Sequence, residues 1–338
     1  MFPIDLNEYK EKIDLFISDI KLKEWEMEGP LKIKEVSFLG IGTGNLNIKV
    51  KINDKNFVFR FCINRFRKNF FLNECAFFKF SKDIDFFPKM RYCEKTGQNL
   101  FNFPFMVLDY IEGDCLINIK YEINERFLSS LAFETSRIHK IGYENSGLEE
   151  KDIFRKIHTR MDFLKEKIKN EDYEALSKIY NKMRLGWKDN KNCKTLIHGN
   201  IWEGNIIKNK EDLRLIDYEK TCIDDPALEI AHIFHDFKTG LYFSEDQKDF
   251  FIKEYKRYRD DETIKDRVDN LLKMDIFYSF LRIIEYSILS KEETQNELFK
   301  SSIKKYCNKE ILNEYFNKLK DLDIIDKDKK LENFYSSG

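Results

Sequence analysis

The sequence contains Leu196-Ile-His-Gly-Asn-Ile-Trp-Glu-Gly-Asn-Ile-Ile207, and Leu215-Ile-Asp-Tyr-Glu219 follows shortly after it. Apolar runs on both sides of a polar loop, and again on both sides of a charged turn, predict a strand, a loop and a β-hairpin. This order brings Asn205 and Asp217 to one end of a small sheet. Their side-chain oxygens are the kind of ligand that a hard cation such as Mg²⁺ takes. The stretch therefore predicts a metal site formed by these two residues.

The spacing also matches a kinase catalytic loop, in which a metal-binding Asn follows an Asp and a second metal-binding Asp lies on a nearby hairpin. With His198-Gly199 before Asn205 and Ile216-Asp-Tyr-Glu219 after it, the chain resembles the aminoglycoside phosphotransferase and choline kinase superfamily. The usual loop of that family reads His-Gly-Asp, four residues and Asn, followed by Ile-Asp, an aromatic residue and Glu. His198 accordingly joins the catalytic set that the resemblance implies.

The resemblance implies an α+β, two-lobed protein-kinase-like fold. Residues 1–111 would form the N-lobe, a small antiparallel β-sheet with one helix that binds nucleotide. Residues 112–338 would form a mainly helical C-lobe with the catalytic loop and the acceptor pocket. Short alternating runs from 31 to 63 agree with a three-strand meander, and the chain from Asn124 onward has mostly helical spacing.

The sequence departs from the family pattern at Asn200, which stands where the family has its catalytic Asp. An amide can orient a hydroxyl but cannot take its proton at neutral pH. General-base catalysis contributes about 10²–10⁴-fold in rate, so binding should survive while turnover falls severely. Of the nearby carboxylates, Glu203 sits at a position that usually points elsewhere, and Asp217 is assigned to the metal. We therefore assign no substitute base.

A glycine-rich turn precedes the second strand of the meander. Gly42 and Gly44 in this turn would let backbone amides approach nucleotide phosphates, because glycine adds no side chain and tolerates positive φ. A purely structural hairpin turn is the alternative.

Two charged side chains and one hinge complete the nucleotide site that the resemblance implies. Arg60 would face the phosphates, and Glu74, on a helix from about Asn69 to Lys82, would pair with it. Backbone groups from Asp109 to Ile111 would hold the adenine edge. Solvated charges on a strand and on a helix are the alternative for Arg60 and Glu74.

Two further residues accompany the loop. His139 ends a helix, and we interpret it as a packed core histidine rather than a catalyst. Asp225 precedes Pro226 and is expected to cap the helix that follows. The resemblance implies that it also steadies the catalytic loop, and a cap alone is the alternative.

The acceptor is the least determined part of the site. A cationic acceptor would need carboxylates or aromatic faces, and Asp236, Tyr278 and Glu285 are candidates at helical spacing. An aromatic stripe of this kind is also typical of a core, and Arg282 in the same stretch would oppose a cation. An aminoglycoside, choline, a sugar, a nucleoside-like alcohol and a peptide all stay open.

Composition limits the partners. Charged residues make up 35% of the chain but leave a net charge of -1, which predicts no bulk attraction to nucleic acid or to a membrane. Seven scattered cysteines without a Cys-x-x-Cys pair argue against a zinc ribbon and a disulfide framework, and favour the cytoplasm. No signal peptide is recognised, and no apolar run approaches the roughly 18 residues of a membrane span. We expect a monomer or weak dimer that uses ATP or GTP with Mg²⁺.

Three hypotheses follow for function. The first is an ATP-dependent phosphotransferase acting on a hydroxyl of a small molecule, whose activity is reduced or abolished because of Asn200. This hypothesis includes the case in which Asn200 was introduced on purpose to inactivate the enzyme. The second is a natural pseudokinase that binds nucleotide or a partner without turnover. The third is a non-enzymatic helical scaffold, which the combined occurrence of His-Gly, Asn205 and Ile-Asp-Tyr-Glu disfavours.

Overall fold

The computed structural model of the protein describes residues 5–18, 25, 29–42, 44–185, 193–210, 212–237, 243–291, 300 and 309–325. The chain divides into two compact units. The first unit comprises Met1–Gly113, Glu144–Leu148 and Asp217–Thr221, and the second comprises Asp114–Tyr143, Glu149–Ile216 and Cys222–Gly338. In the part of the chain that is described, no helix is both long enough and apolar enough to pass through a bilayer.

A five-stranded antiparallel sheet forms the centre of the first unit. In the order β1-β2-β3-β5-β4, its strands are β1 (Ile33–Ile41), β2 (Asn45–Ile52), β3 (Lys55–Cys62), β5 (Phe105–Asp109) and β4 (Met90–Glu94). The predicted meander is confirmed as β1 to β3. The turn between β2 and β3 places Asn53 at a φ of 53°, a conformation that Asn tolerates better than most residues.

Aromatic side chains fill one face of this sheet. Phe57, Phe59 and Phe61 alternate along β3 and are fully buried. They belong to the same core as Ile13 and Ile17 of helix α1 (Leu6–Ser18). Helical spacing predicts this helix over 4–26, but it ends at Ser18, and 19–24 and 26–28 lie outside the described residues. Burial of each such side chain contributes about 1.5–3 kcal/mol, which makes the sheet a rigid support.

Alternation along β3 points Arg60 away from its phenylalanine neighbours. Arg60 contacts Glu74 on helix α2 (Lys68–Phe80). The helix predicted over 69–82 is thus confirmed, with slightly different ends.

The second unit is mainly helical. Its helices are α3 (Glu125–His139), α4 (Ile153–Lys165), α5 (Asn170–Leu185), α6 (Pro226–Asp236), α7 (Glu245–Tyr258), α8 (Ile264–Leu289) and α9 (Lys309–Asp321). Its strands are β6 (Asp114–Cys115), β7 (Thr195–Ile197), β8 (Ile206–Asn209), β9 (Asp212–Leu215) and β10 (Cys222–Asp224). β8 and β9 form the hairpin predicted after the loop, and β7 pairs with β10. Helical spacing also predicts a helix over 293–306, of which every residue except 300 lies outside the described residues.

Side-chain caps fix the starts of two helices that border the loop. The Asn124 side chain accepts a hydrogen bond from the Phe127 amide at the start of α3. Asp225 accepts one from the Ala227 amide at the start of α6, where Pro226 occupies the first turn. The caps thereby fix where α3 and α6 begin.

Candidate active site

The first unit contains a charged cluster around Arg60. Its Nε lies 2.8 Å from Glu74 Oε2, its Nη2 lies 2.5 Å from Asp217 Oδ1, and Glu219 Oε2 is 3.8 Å from the same Nη2. Arg67 completes the cluster through Nη2, which is 2.5 Å from Glu219 Oε1. The structure thus brings together Arg60, Glu74 and Asp217, three residues predicted from the sequence for the nucleotide and metal sites.

Helix α2 fixes the backbone of this cluster as well as its charges. The Tyr218 amide donates to Glu74 Oε1 at 3.1 Å. The Asn73 side chain donates to the carbonyl oxygens of Glu219 and Thr221. Asp217 itself has a φ of 68°, in the left-handed region that few residues other than glycine, Asn and Asp adopt. This conformation is therefore held by its surroundings, which is common at functional sites.

Burial is the main influence on the protonation of Glu74. It raises the pKa of Glu74 to about 8 against the opposing charge of Arg60, and the charges of Asp217 and Glu219 add smaller increases. Burial disfavours the charge of Arg60, but the three carboxylates together raise the pKa of Arg60 above its usual range. A proton on Glu74 would leave two charged carboxylates, Asp217 and Glu219, facing the guanidinium groups of Arg60 and Arg67.

The glycine turn is arranged differently from the expectation. Gly40, Gly42 and Gly44 all lie outside the left-handed region, so none of them uses the positive φ that glycine tolerates. A Cβ at Gly44 would lie 2.9 Å from the Arg67 Cβ, whereas one at Gly42 would meet nothing closer than 3.9 Å. Gly44 is thus required for packing against Arg67, whereas Gly40 and Gly42 both have open space where a Cβ would lie.

The predicted hinge follows β5. Arg91 holds the Asp109 carboxylate through two hydrogen bonds of 2.7 and 2.8 Å. The Tyr110 amide donates to the Asn56 carbonyl at 3.1 Å. Ile111 comes next and is half-buried. The amide of Tyr110 is therefore committed to the sheet, and that of Ile111 is the stronger candidate for contact with a base.

In the second unit, Glu229 anchors the loop that follows β7. Its carboxylate accepts hydrogen bonds from the amides of His198, at 3.0 Å, and Gly199, at 2.5 Å. Gly199 has a φ of 75°, which only glycine adopts freely. The His198 ring is buried, and its Nε2 lies 3.0 Å from the Ile216 carbonyl, to which it donates. The loop is consequently tied to α6 at one end and to the segment after β9 at the other.

His139 supports the same carboxylate from behind. Its Nε2 lies 2.9 Å from Glu229, and its Nδ1 lies 2.8 Å from the Tyr255 hydroxyl. Burial lowers the pKa of His139, which keeps the ring neutral. A carboxylate only accepts, so Nε2 carries the proton and Nδ1 accepts from Tyr255. Hydrogen bonding by His139 and the Gly199 amide overcomes burial and lowers the pKa of Glu229. The core role predicted for His139 agrees with these contacts.

The two asparagines of the loop are linked to each other. The Asn205 side chain donates from Nδ2 to the Asn200 carbonyl at 3.0 Å, and the Asn205 carbonyl accepts from the Ile216 amide at 2.9 Å. Glu203 accepts from the Tyr121 hydroxyl at 2.8 Å, so this carboxylate is already engaged.

The acceptor candidates are all paired with arginines. Asp236 contacts Arg282 at 3.1 Å and accepts from Tyr315 at 2.9 Å, and these partners with nearby histidines lower the pKa of Asp236 despite its burial. Arg160 forms an ion pair with Glu285 and donates to the Tyr278 hydroxyl at 3.0 Å. A cationic acceptor would have to displace these arginines.

Sequence reasoning missed the residue that contacts the loop amides. Asp225 was expected to cap α6 and to steady the loop; the cap is confirmed, and the carboxylate also pairs with Arg267 at 3.0 Å. Glu229 makes the contact. A sequence signal existed, because a Glu inside the apolar run Ala227-Leu-Glu-Ile-Ala231 needs a buried partner.

Comparison with known families gives one match. A family model described as "Phosphotransferase enzyme family" matches residues 35–269. A search of the curated proteins found no match.

The structure is similar to several solved structures. One is a GDP and kanamycin complex of APH(2")-IIia, at 16% identity and a TM-score of 0.62, covering 93% of this chain and 99% of that chain. A putative aminoglycoside phosphotransferase from Ralstonia eutropha gives 12% identity and a TM-score of 0.63, with coverage of 91% and 98%. Macrolide 2'-phosphotransferase type I gives 13% and 0.57, with coverage of 94% and 99%. These likenesses confirm the predicted α+β, protein-kinase-like fold.

Proposed function

Because the chain belongs to the phosphotransferase enzyme family, we propose that it binds ATP or GTP with Mg²⁺ and is built to transfer the terminal phosphoryl group to a hydroxyl of a small molecule. Family membership confirms the predicted resemblance and the predicted class, a small-molecule kinase-like enzyme.

The contact of Arg60 with Glu74 and Asp217 carries the proposal. The buried Arg60 guanidinium suits phosphate oxygens, and the Asp217 carboxylate beside it suits a divalent cation. Asp217 presents a carboxylate, and the Nδ2 contact of Asn205 makes its amide oxygen the end suited to a cation. We assign these two residues as Mg²⁺ ligands. Bound Mg²⁺ would neutralise charge on the phosphates.

The remaining nucleotide contacts are assigned as follows. The backbone of Gly42 and Gly44 would approach the phosphates. Because the Gly42 amide donates to the Asn45 carbonyl at 2.9 Å, the Gly44 amide is the one we assign as donor, and the open space at Gly42 would admit the phosphates. Backbone groups of Asp109 and Ile111 would hold the base. Residues 1–111 would then be the nucleotide-binding lobe, and 112–338 the lobe with the catalytic loop.

Asn200 sets the expected rate. It would accept a hydrogen bond from the acceptor hydroxyl without taking its proton, and His198 would hold the loop through its contact with the Ile216 carbonyl. Glu203 is engaged by Tyr121, which further weakens it as a substitute base. We therefore propose strongly reduced turnover. A natural pseudokinase is the second candidate, and Asn200 is the observation that favours it.

The acceptor is proposed to be aminoglycoside-like or choline-like, with Asp236, Tyr278 and Glu285 lining its site. We propose that the enzyme works in the cytoplasm as a monomer or weak dimer, without nucleic acid or membrane as partners, on the basis of its composition.

Nucleotide binding gives the direct test. ATP with Mg²⁺ should raise the melting temperature of the protein, since a ligand bound only by the native state stabilises it. Asp217→Asn should weaken ATP·Mg²⁺ binding at least tenfold in calorimetric titration, while Asn still tolerates the positive φ. Asp212→Asn, at an exposed position on β9, is the matched control and should bind normally. Absence of binding by the unmodified protein with both ATP and GTP would refute the proposal.

A further inference from the structure

Two cysteines of the first unit face each other between α2 and β4. The Sγ atoms of Cys75 and Cys93 lie 2.7 Å apart. A disulfide has a sulfur separation of about 2.05 Å, so bond formation requires less than about 1 Å of movement. Cys75 is almost fully buried, and Cys93 is half-buried.

We propose that Cys75 and Cys93 form an oxidation site, at which a hydroperoxide converts the two thiols into a reversible intramolecular disulfide. This inference rests on the contact of the two sulfur atoms and is independent of the proposed phosphotransfer.

The environment assigns a different role to each thiol. The hydrogen bond from Cys75 and the charge of Lys95 lower the pKa of Cys93 against the effect of burial. The pKa of Cys75 is raised by its contact with Cys93 and by burial. Cys93 is also the more accessible sulfur, so it is the one that reacts with the oxidant.

The chemistry proceeds in two balanced steps. The Cys93 thiolate attacks one peroxide oxygen, the O–O bond breaks, and the sulfur becomes a sulfenic acid as the other oxygen leaves and is protonated to water. The Cys75 sulfur then attacks the Cys93 sulfur, and the sulfenic oxygen leaves as a second water with the Cys75 proton. Two thiols and one hydrogen peroxide thus give one disulfide and two waters.

The position of Cys75 gives this bond a structural consequence. Its neighbour Glu74 contacts Arg60, and Asn73 holds the backbone carbonyls of Glu219 and Thr221. A bond to Cys93 would therefore fasten the turn of α2 that supports the charged cluster to the edge strand of the sheet. Oxidation should stabilise the arrangement already present.

Peptide mapping tests the proposal on the full-length protein. Reduced protein is treated with hydrogen peroxide, its remaining thiols are blocked with N-ethylmaleimide, and it is digested without reduction. We expect a linked pair of peptides containing Cys75 and Cys93, the loss of two of the seven thiols, and reversal by dithiothreitol. The melting temperature should rise by about 2 °C or more.

Matched variants assign the link to these thiols. Cys93→Ser should abolish the linked peptides, and Cys193→Ser, which removes another half-buried thiol, should retain them. The proposal is overturned when oxidised wild-type protein carries sulfinic or sulfonic acid on Cys93 beside an alkylated Cys75, or when both thiols stay alkylated. Because the wild-type map decides the question, poor folding of a variant does not affect it.

Discussion

The Arg60 side chain on β3 contacts the Glu74 carboxylate on α2, with 2.8 Å between Nε and Oε2. Both residues are buried, at 8% and 1% exposure. Glu74 also accepts from the Tyr218 amide, next to Asp217 in the chain. One carboxylate therefore links strand, helix and the segment that carries the proposed metal ligand.

Stability of the protein should depend on pH through Glu74. The pKa of Glu74 is about 8 in the folded protein, whereas its ordinary value, which applies to the unfolded chain, is 4.5. Between pH 4.5 and pH 8 the native state therefore holds a proton that the unfolded chain has lost. The contribution of Glu74 to the free energy of unfolding is complete below about pH 4.5 and is lost as the pH rises to 8, by a few kcal/mol in all. Urea unfolding at several pH values, compared with Glu74→Gln, measures it. An equal pH dependence in both proteins would contradict this prediction.

Alanine substitutions should separate the two glycines of the turn. Gly44→Ala places a Cβ 2.9 Å from the Arg67 Cβ, and it should lower the free energy of unfolding by about 1–3 kcal/mol. Gly42→Ala meets nothing closer than 3.9 Å and should change stability by less than about 0.5 kcal/mol. Chemical denaturation of both variants provides the comparison. A loss of stability in Gly44→Ala as small as that in Gly42→Ala would contradict the prediction and show that the Arg67 side chain moves aside at little cost.

Removal of the Glu229 carboxylate should destabilise the loop. Glu229→Ala leaves the amides of His198 and Gly199 and the ring of His139 without their acceptor, at a cost of about 2–4 kcal/mol. Glu254→Ala is the control. Glu254 is equally buried, but its partners are Ser129 and Arg257, and the exposed Arg257 can hydrogen-bond to water when the carboxylate is removed. Its cost should be about 1 kcal/mol. Amide hydrogen exchange should rise at 198–199 only in the first variant.

Restoring the carboxylate of the family motif should restore turnover. We expect Asn200→Asp to raise the rate of phosphoryl transfer by about 10²–10⁴-fold, with little effect on nucleotide affinity. ATP consumption over a panel of aminoglycosides, choline and sugars measures the rate and identifies the acceptor. No gain from Asn200→Asp, with ATP still bound, would favour the pseudokinase. Asn209→Asp, at an exposed position on β8, controls for the added charge.

The strands and helices were predicted well because their apolar periodicity is set by residues close to one another in the sequence. The alternation of Phe57, Phe59 and Phe61 fixed which face of β3 is apolar, and that placed Arg60 on the other face, towards α2. The spacing within the loop likewise fixed the turn that contains Asn205. These features depend on strand and helix periodicity, which the sequence records directly.

Long-range contacts account for what was missed. Glu229 reaches loop amides 31 and 30 positions earlier in the chain. Its place in an apolar run indicates a buried partner, but no local pattern says which one. The glycines of the first turn tolerate positive φ but do not adopt it, whereas Asp217 does, and no local pattern marks Asp217 for it. Arg160 and Arg282 neutralise the acceptor candidates through contacts between separate helices.

The absence of a side chain at Gly204 has an optical consequence. A Cβ there would lie 2.3 Å from the Trp202 ring, so the indole packs directly on the turn between Asn200 and Asn205. The emission of a half-buried indole changes with its surroundings, whereas that of the fully enclosed Trp25 is shielded from solvent. Trp202 is therefore a native fluorophore beside the loop, able to signal ligand arrival without any attached dye.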